Sequence, residues 1–357
     1  MSHTLHLFNP WHDEALAANV QFYSPSLAGR KLAHVLAELP RIWGEEDDEY
    51  LQLPESGRVK DLLPPDWTKI NSIDPWGWDN HVVEIFQRLG APEALLPTAE
   101  QLHEIRHLSS RANVSELLAE DSEYLLFARP GVIPFSSTFC RSMQEVTAAL
   151  EPLEGRAMLK SPWSSSGRGV FPIKGTLDSV AAARVQKILQ QQGGIEVQSL
   201  HEVVANFAFE YHALPDGTVE YDGLSLFQAA PGGAYLGNLV AHPAMMEREL
   251  CTLLAPLAAG WGMAETELPQ LLHHLQSSLA QLLSRWLHAR YVGPLGVDLL
   301  VTPTGIHPCV EINLRRTMGH VAVALGHQQA DTTPLQLLQI SLDGWQLVPL
   351  SSAESLG

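Results

Sequence analysis

Residues 157–170, AMLKSPWSSSGRGV, carry an apolar strand ending in Lys160 into a loop of small hydroxyl residues and glycines, and a second strand starts at Val170. Such a loop lets backbone N–H groups close around phosphate oxygens, while Lys160 and Arg168 neutralise their charge. It is not a Walker A loop, because the lysine precedes the glycines and no Gly-Lys-Ser/Thr follows them. Taken alone, the stretch also fits a tight β-hairpin with an incidental lysine.

A second group of chemically capable residues lies far downstream. GPLGVDLLVT and HPCVEINL read as two antiparallel strands joined by a Pro-Thr-Gly turn, with Asp298 on the first and Glu311 and Asn313 on the second. Residues two apart on a strand share a face, so Glu311, Asn313 and the following Arg315 point the same way. Two carboxylates and an amide oxygen suit a hard cation such as Mg²⁺. Arg315 can hold a phosphoryl oxygen or a substrate carboxylate. Plain structural roles also exist: a strand cap for Asp298, and a surface ion pair between Glu311 and Arg315. Asp298, however, lies between Val297 and Leu299, and Glu311 between Val310 and Ile312. A carboxylate in apolar company is costly unless it is paired or bound to metal.

The surrounding pattern predicts an α/β (α+β) chain. A short strand over 4–8, the turn NPWHD and a helix over 26–38 are followed by the strand TKINSI, the turn DPWGWDN and the helix HVVEIFQRLG. This alternation suggests a small parallel sheet over residues 1–108. Residues 109–200 form a second unit: the capped helix SSRANVSELLAE, an irregular PGVIPFSSTF link, the helix MQEVTAALEPL, the strand–loop–strand around Lys160, a helix ending at Gly193-Gly194, and the strand IEVQSL. Residues 201–345 open with the alternating strands ANFAFEYHAL and TVEYDGLSLFQA, continue through a long amphipathic helix over 268–290, and end in the acidic strand pair; 346–357 read as a tail.

Composition narrows the function. The 357 residues, 45% hydrophobic and 17% charged, are enough for two or three sizeable cores. A formal net charge of −18 argues against broad contact with nucleic acid or an anionic membrane, although Lys160, Arg168, Arg315 and Arg316 can still form a local anion pocket. Cys140, Cys251 and Cys309 are widely spaced and read as packing residues in a reducing compartment. The N-terminal stretch lacks the basic and apolar regions of a secretory signal, so a cytoplasmic location is expected. The histidines form no convincing zinc set.

The order KSPWSSSGRGV, then a strand near 196–200, then GVDLLV and VEINLR resembles the ATP-grasp superfamily, over residues 110–330. The resemblance implies an ATP-grasp fold preceded by a Rossmann-like pre-ATP-grasp domain, with ATP and Mg²⁺ (or Mn²⁺) bound. It places Lys160 on ATP phosphate, with Ser164, Ser165, Ser166, Gly167, Arg168 and Gly169 closing over the phosphates as a flap. The hinge Glu196 to Leu200, including Gln198 and Ser199, is expected to hold adenine mostly through backbone groups, with Glu210 facing ribose or phosphate. Gln198 stands where members often carry an acid, which leaves open whether Glu196 or Gln198 faces the nucleotide. Asp298, Glu311 and Asn313 would ligate magnesium, and Arg315 would steady the transferred phosphoryl group.

The implied reaction is activation of a small-molecule carboxylate as an acylphosphate, then attack by an amine. A small-molecule kinase and a silent nucleotide-binding regulator are the competing readings, and a homodimer is the expected assembly. Substrate contacts are expected at strand-end loops of the first domain, through Asn9, Asp13, Trp76 and Trp78, and at Arg316 and His320. The same tryptophans can instead plug a domain interface, Asp13 can cap a helix, and His320 can merely start one.

Overall fold

A computed structural model describes residues 3–121, 125–134, 137–164, 167–229 and 235–350. In the N-terminal unit, β1 (His3–Leu7), α1 (His12–Ala18), α2 (Leu27–Val35), β2 (Glu49–Tyr50), β3 (Ile70–Pro75) and α3 (Asn80–Arg88) follow in chain order. Its three strands run parallel in the order β2-β1-β3. The Asp79 carboxylate starts α3 by accepting from the N–H groups of His81 and Val82. From there Val82, Ile85, Phe86 and Leu89 turn one face onto Leu5, Leu7 and Ile73.

The chain then runs through α4 (Ala99–Leu108) and α5 (Val114–Ala119) into a four-stranded sheet. This unit comprises β4 (Ser137–Cys140), α6 (Met143–Leu150), β5 (Arg156–Lys160), β6 (Val170–Lys174), α7 (Ser179–Gln192) and β7 (Ile195–Ser199), with strand order β4-β7-β5-β6 in its sheet. Alternation divides its faces: Ala157, Leu159, Ile195 and Val197 pack on Val146, Leu150 and Val185 from α6 and α7. The opposite face carries Lys160, Glu196 and Gln198. α7 ends at Gly193, whose φ of 77° is in the left-handed region. A Cβ on the next glycine, Gly194, would stand 2.1 Å from the Phe139 ring.

The third unit holds β8 (Ala205–Ala213), β9 (Val219–Ala229), β10 (Tyr235–Val240), α8 (Pro243–Ala258), α9 (Leu268–Leu287), β11 (Gly293–Thr302), β12 (Gly305–Asn313), α10 (Met318–His327), β13 (Gln336–Ser341) and β14 (Gly344–Pro349). Its seven strands run in the order β12-β11-β8-β9-β10-β13-β14. Phe207, Phe209 and Tyr211 stand opposite Leu299, Val297 and Leu295, and this apolar face lies under the leucine stripe of α9 and the inner face of α8. Glu210, Gly296 and Asp298 therefore occupy the other face, with α10 lying over part of it.

Two expected boundaries move. Ile105, Leu108, Val114 and Leu117, from α4 and α5, bury themselves in the core of the seven-stranded sheet, not in the units ending at 108 or starting at 109. The helix expected over SSRANVSELLAE is present in part as α5, α4 was not among the expected elements, and apolar spacing does not say which sheet a helix covers. Residues 346–349, read as tail, pair with β13 as part of β14. Among the described residues, no helix is long and apolar enough to cross a membrane.

Candidate functional site

Lys160 ends β5 directly opposite Glu196 of β7, and Met158 stands opposite Gln198. Lys160, Glu196 and Gln198 are all buried. Burial lowers the Lys160 ammonium from its usual range, while Glu196, Glu311 and Asp298 favour its charged form and Arg111 opposes it. Burial raises the Glu196 carboxyl against the opposing charge of Lys160. The Ser137 hydroxyl donates to Glu196 Oε1. Gln198 adjoins Glu196, yet Glu196 Oε2 and Gln198 Nε2 complete no well-formed hydrogen bond among the described residues. These are buried polar atoms turned to the site face with capacity left over.

The hinge expectation needs correction. β7 pairs with β4 on one edge and β5 on the other over Ile195–Ser199, so its backbone is committed to ladders, and the Leu200 N–H donates to the Arg156 carbonyl at 3.0 Å. Glu196 and Gln198 therefore present side chains, not backbone. The loop after Lys160 closes tightly: Ser161 N–H donates to the Gly169 carbonyl at 2.9 Å, and a Cβ on Gly169 would stand 1.9 Å from Ser161 Oγ. Gly167 takes a φ of 72° and its carbonyl accepts from Val170. Ser165 and Ser166 lie outside the described residues.

The facing wall comes from β11 and β12. Asp298 and Glu311 are opposite each other in register, as are Gly296 and Asn313. Burial and the charges of Glu311 and Glu210 push the Asp298 carboxyl up to about 8. Asn313 Nδ2 donates to Asp298 at 3.4 Å, and its Oδ1 accepts from Arg315 Nη2 at 3.0 Å. Arg315 also grips Asp13 of α1 through Nε at 3.1 Å and Nη2 at 2.8 Å. Against burial, Asp13 keeps the guanidinium charged. Asp13, expected at substrate, is thus the residue that anchors Arg315.

Arg111 joins the two walls, and sequence reasoning missed it. This buried guanidinium donates to the Ser161 carbonyl at 2.8 Å, to Ser164 Oγ at 2.7 Å and its carbonyl at 3.1 Å, and to Glu311 at 2.5 Å. It lies in SSRANVSELLAE, where the only visible signal was a helix start.

Other expected site residues have structural partners. The Arg168 side chain is largely exposed and ion-paired with Glu14 of α1 at 2.7 Å. Glu210 is saturated by Ser225 at 2.8 Å, Thr317 at 2.9 Å and His320 at 3.0 Å. These bonds hold its carboxyl low despite burial, so it anchors α10 and does not face ribose. His320 belongs to the first turn of α10 and also meets the Tyr211 carbonyl. Asn9 is buried, clasping the Gly77 backbone in both directions. Trp76 is buried with Phe8, Val240 and Val321 where the N-terminal unit meets α10, and Trp78 packs beside Phe86. Trp76 is therefore interior to this junction, whereas Trp78 is half-buried.

Arg316 pairs with Asp74 at 3.2 Å and lies over the Trp43 ring at 4.4 Å. Burial opposes ionisation of Asp74, but the Arg316 charge and the His6 hydrogen bond outweigh it and hold the carboxyl at about 2. This stabilisation is complete above the unfolded-state pKa near 4 and fades as pH falls through the folded-state value. Asp74→Asn is expected to cost about 2 kcal/mol near neutral pH, with the gap to wild type closing as pH falls toward about 2. Urea unfolding of both proteins at neutral and acid pH measures this, and a gap independent of pH would contradict it.

The fold is that of ATP-grasp enzymes. It matches biotin carboxylase from Campylobacter jejuni, solved as a β-γ-ATP complex, at 11% identity and a TM-score of 0.51, covering 95% of this chain and 75% of that one. N5-carboxyaminoimidazole synthetase from Staphylococcus aureus, complexed with ADP, matches at 12% identity and TM-score 0.47, covering 95% and 83%. The biotin carboxylase domain of Hydrogenobacter thermophilus 2-oxoglutarate carboxylase, complexed with MgADP and bicarbonate, matches at 12% identity and TM-score 0.47, and the shared region is 76% of this chain and only 58% of that one. No protein-family model matches the sequence, and no curated protein is found as a relative.

Proposed function

We propose that the chain is an ATP- and Mg²⁺-dependent ligase that activates a small-molecule carboxylate as an acylphosphate and couples it to an amine. The observation that carries this reading is the convergence of the two walls: Arg111 binds both the loop after Lys160 and Glu311 of the acidic strand pair.

The residues suit the groups they would hold. Lys160 is a buried cation beside a glycine-containing loop, and Glu196 and Gln198 retain hydrogen-bonding capacity for the nucleotide. Asp298 and Glu311 are facing oxygen donors whose mutual repulsion a divalent cation relieves. Among the described residues, no group of three or more His, Cys, Asp or Glu side chains could hold a metal by itself. Two carboxylates with the Asn313 amide leave the rest of the shell to phosphate and water, as Mg²⁺ prefers. When bound, Mg²⁺ would neutralise charge on the phosphates.

The protein's own work is positioning and neutralisation. Lys160 and Arg111 offset phosphate charge. Arg315, oriented by Asp13, faces the transferred phosphoryl group. The substrate carboxylate oxygen attacks the γ-phosphorus as its bond to the β-bridging oxygen breaks and ADP leaves. The amine nitrogen then attacks the acyl carbon, phosphate departs, and the nitrogen loses a proton to water.

Incubating wild-type protein with Mg·ATP and pairs drawn from amino acids and dipeptides tests this. ADP and free phosphate formed with a new amide, requiring both substrates, is the expected result. ADP with a phosphorylated product and no free phosphate would replace the reading with a kinase. ATP binding without turnover would replace it with a regulator.

A further inference from the structure

α4 meets the loop after Lys160 through Arg106 and Trp163. The Arg106 guanidinium lies over the Trp163 ring, 3.9 Å from its centroid, and the indole Nε1–H donates back to the Arg106 carbonyl at 3.0 Å. Both side chains are half-buried. Burial alone lowers the Arg106 guanidinium from its usual range, with no carboxylate drawing it the other way. The electron-rich ring face takes a carboxylate's place on one side of it.

The same guanidinium reaches the N-terminal unit, where Arg106 Nε donates to the Leu16 carbonyl at 2.8 Å. Leu16 lies in the last turn of α1, where carbonyls run out of partners within the helix and no basic residue stands. Arg106 supplies the cation that this negative helix end favours. α1 is therefore held twice: Asp13 in its first turn grips Arg315, and Leu16 in its last is held by Arg106.

On the loop side, Trp163 sits in a run of four residues that neighbouring elements fix. Ser161 and Ser164 bind the Arg111 side chain, and the Pro162 carbonyl accepts from the Arg111 N–H at 3.1 Å. The Trp163 N–H donates to Gln192 of α7 at 3.0 Å. The flap expected over 164–169 is thus tied down at Ser164, and this part of the loop is set in place beforehand. Lys160, Glu196 and Gln198 do not depend on the Arg106–Trp163 contact, because the strand ladders of β5 and β7 hold them.

We propose that Arg106 and Trp163 are positioning residues: they lock the loop after Lys160 to α1, and so keep that loop and the Asp13-anchored Arg315 in fixed relation around the phosphoryl group in transfer. The catalytic consequence rests on the ligase reading above; the mechanical link between loop and α1 does not.

Hydrogen exchange of the whole protein, without nucleotide, tests the link. Arg106→Met keeps bulk but loses the cation and its bond to Leu16. It is expected to speed exchange at least about tenfold at both the Trp163 amide and the Ala15 amide, which closes the first turn of α1 on the Trp11 carbonyl, and to leave Phe207 of β8 as in wild type. Trp163→Leu opens the junction from the loop side and should do the same at Ala15, which decides the matter even if Arg106→Met does not fold. Acceleration confined to the loop, or equal at Phe207, overturns the link.

Kinetics with Mg·ATP test the consequence. Arg106→Met and Trp163→Leu should each lower kcat at least about thirtyfold while KM for ATP changes less than about threefold. Trp163→Phe keeps a ring under Arg106 and should retain at least about a third of kcat. A loss carried mainly by KM, or a phenylalanine variant as poor as the leucine one, overturns the positioning role and leaves the ligase reading standing. A wild-type protein that never consumes ATP would sink the ligase reading, and with it the catalytic consequence, while the exchange result still decides the link.

Discussion

Glu311→Gln is expected to lower ATP turnover about a thousandfold, equivalent to roughly 4 kcal/mol of lost transition-state stabilisation. The change removes one of two facing carboxylates while keeping shape and an oxygen for Arg111 to bind. Its effect on folding should be small. Asp298 loses the repulsion of its neighbour, and that relief offsets the weaker bond to Arg111. Steady-state kinetics with Mg·ATP, beside a thermal melt of the same preparation, check both halves. A variant with near-normal turnover would refute the metal role, whereas one that melts far below wild type would show that Glu311 mainly serves the fold.

Arg111→Met should be harmful in two ways. The substitution strips donors from Ser161, Ser164 and Glu311 together, and breaking a largely buried ion pair costs about 3 kcal/mol. It also unties the phosphate loop from the acidic strand pair, so kcat/KM for ATP is expected to fall at least about a hundredfold. Arg111→Lys separates the two contributions. It keeps the charge but not the fork that reaches three partners, so it should recover part of the stability and little of the activity. Full activity in the lysine variant would mean that charge alone matters there.

Much of this site was legible because strands alternate. Period-two spacing put Glu311 and Asn313 on one face and set the polar Lys160 apart from its apolar neighbours Leu159 and Ala157. The turn between β11 and β12 made Asp298 and Glu311 neighbours, as the register shows. Contacts between distant segments were not legible. Arg111 meets Glu311 across 200 residues through the packing of α5 on the seven-stranded sheet, and Arg315 meets Asp13 across 302 through the docking of the N-terminal unit. Glu210 shows the opposite failure: an acid on the correct face of the correct strand, but already saturated by Ser225, Thr317 and His320. Trp76 shows another, since strand-end position suggested a ligand wall while its burial beside α10 makes it a junction residue. Local pattern sets which face a side chain takes, whereas tertiary docking decides what already occupies the space in front of it.

The central claim is that a substrate carboxylate takes the γ-phosphoryl group before an amine displaces it. The most direct measurement uses the carboxylate identified by the ADP-formation screen, labelled with ¹⁸O in its carboxyl group, with ³¹P NMR of the phosphate released. Transfer through an acylphosphate predicts that the phosphate carries one ¹⁸O from the substrate. Phosphate free of label, released as fast as the amide forms, would contradict it.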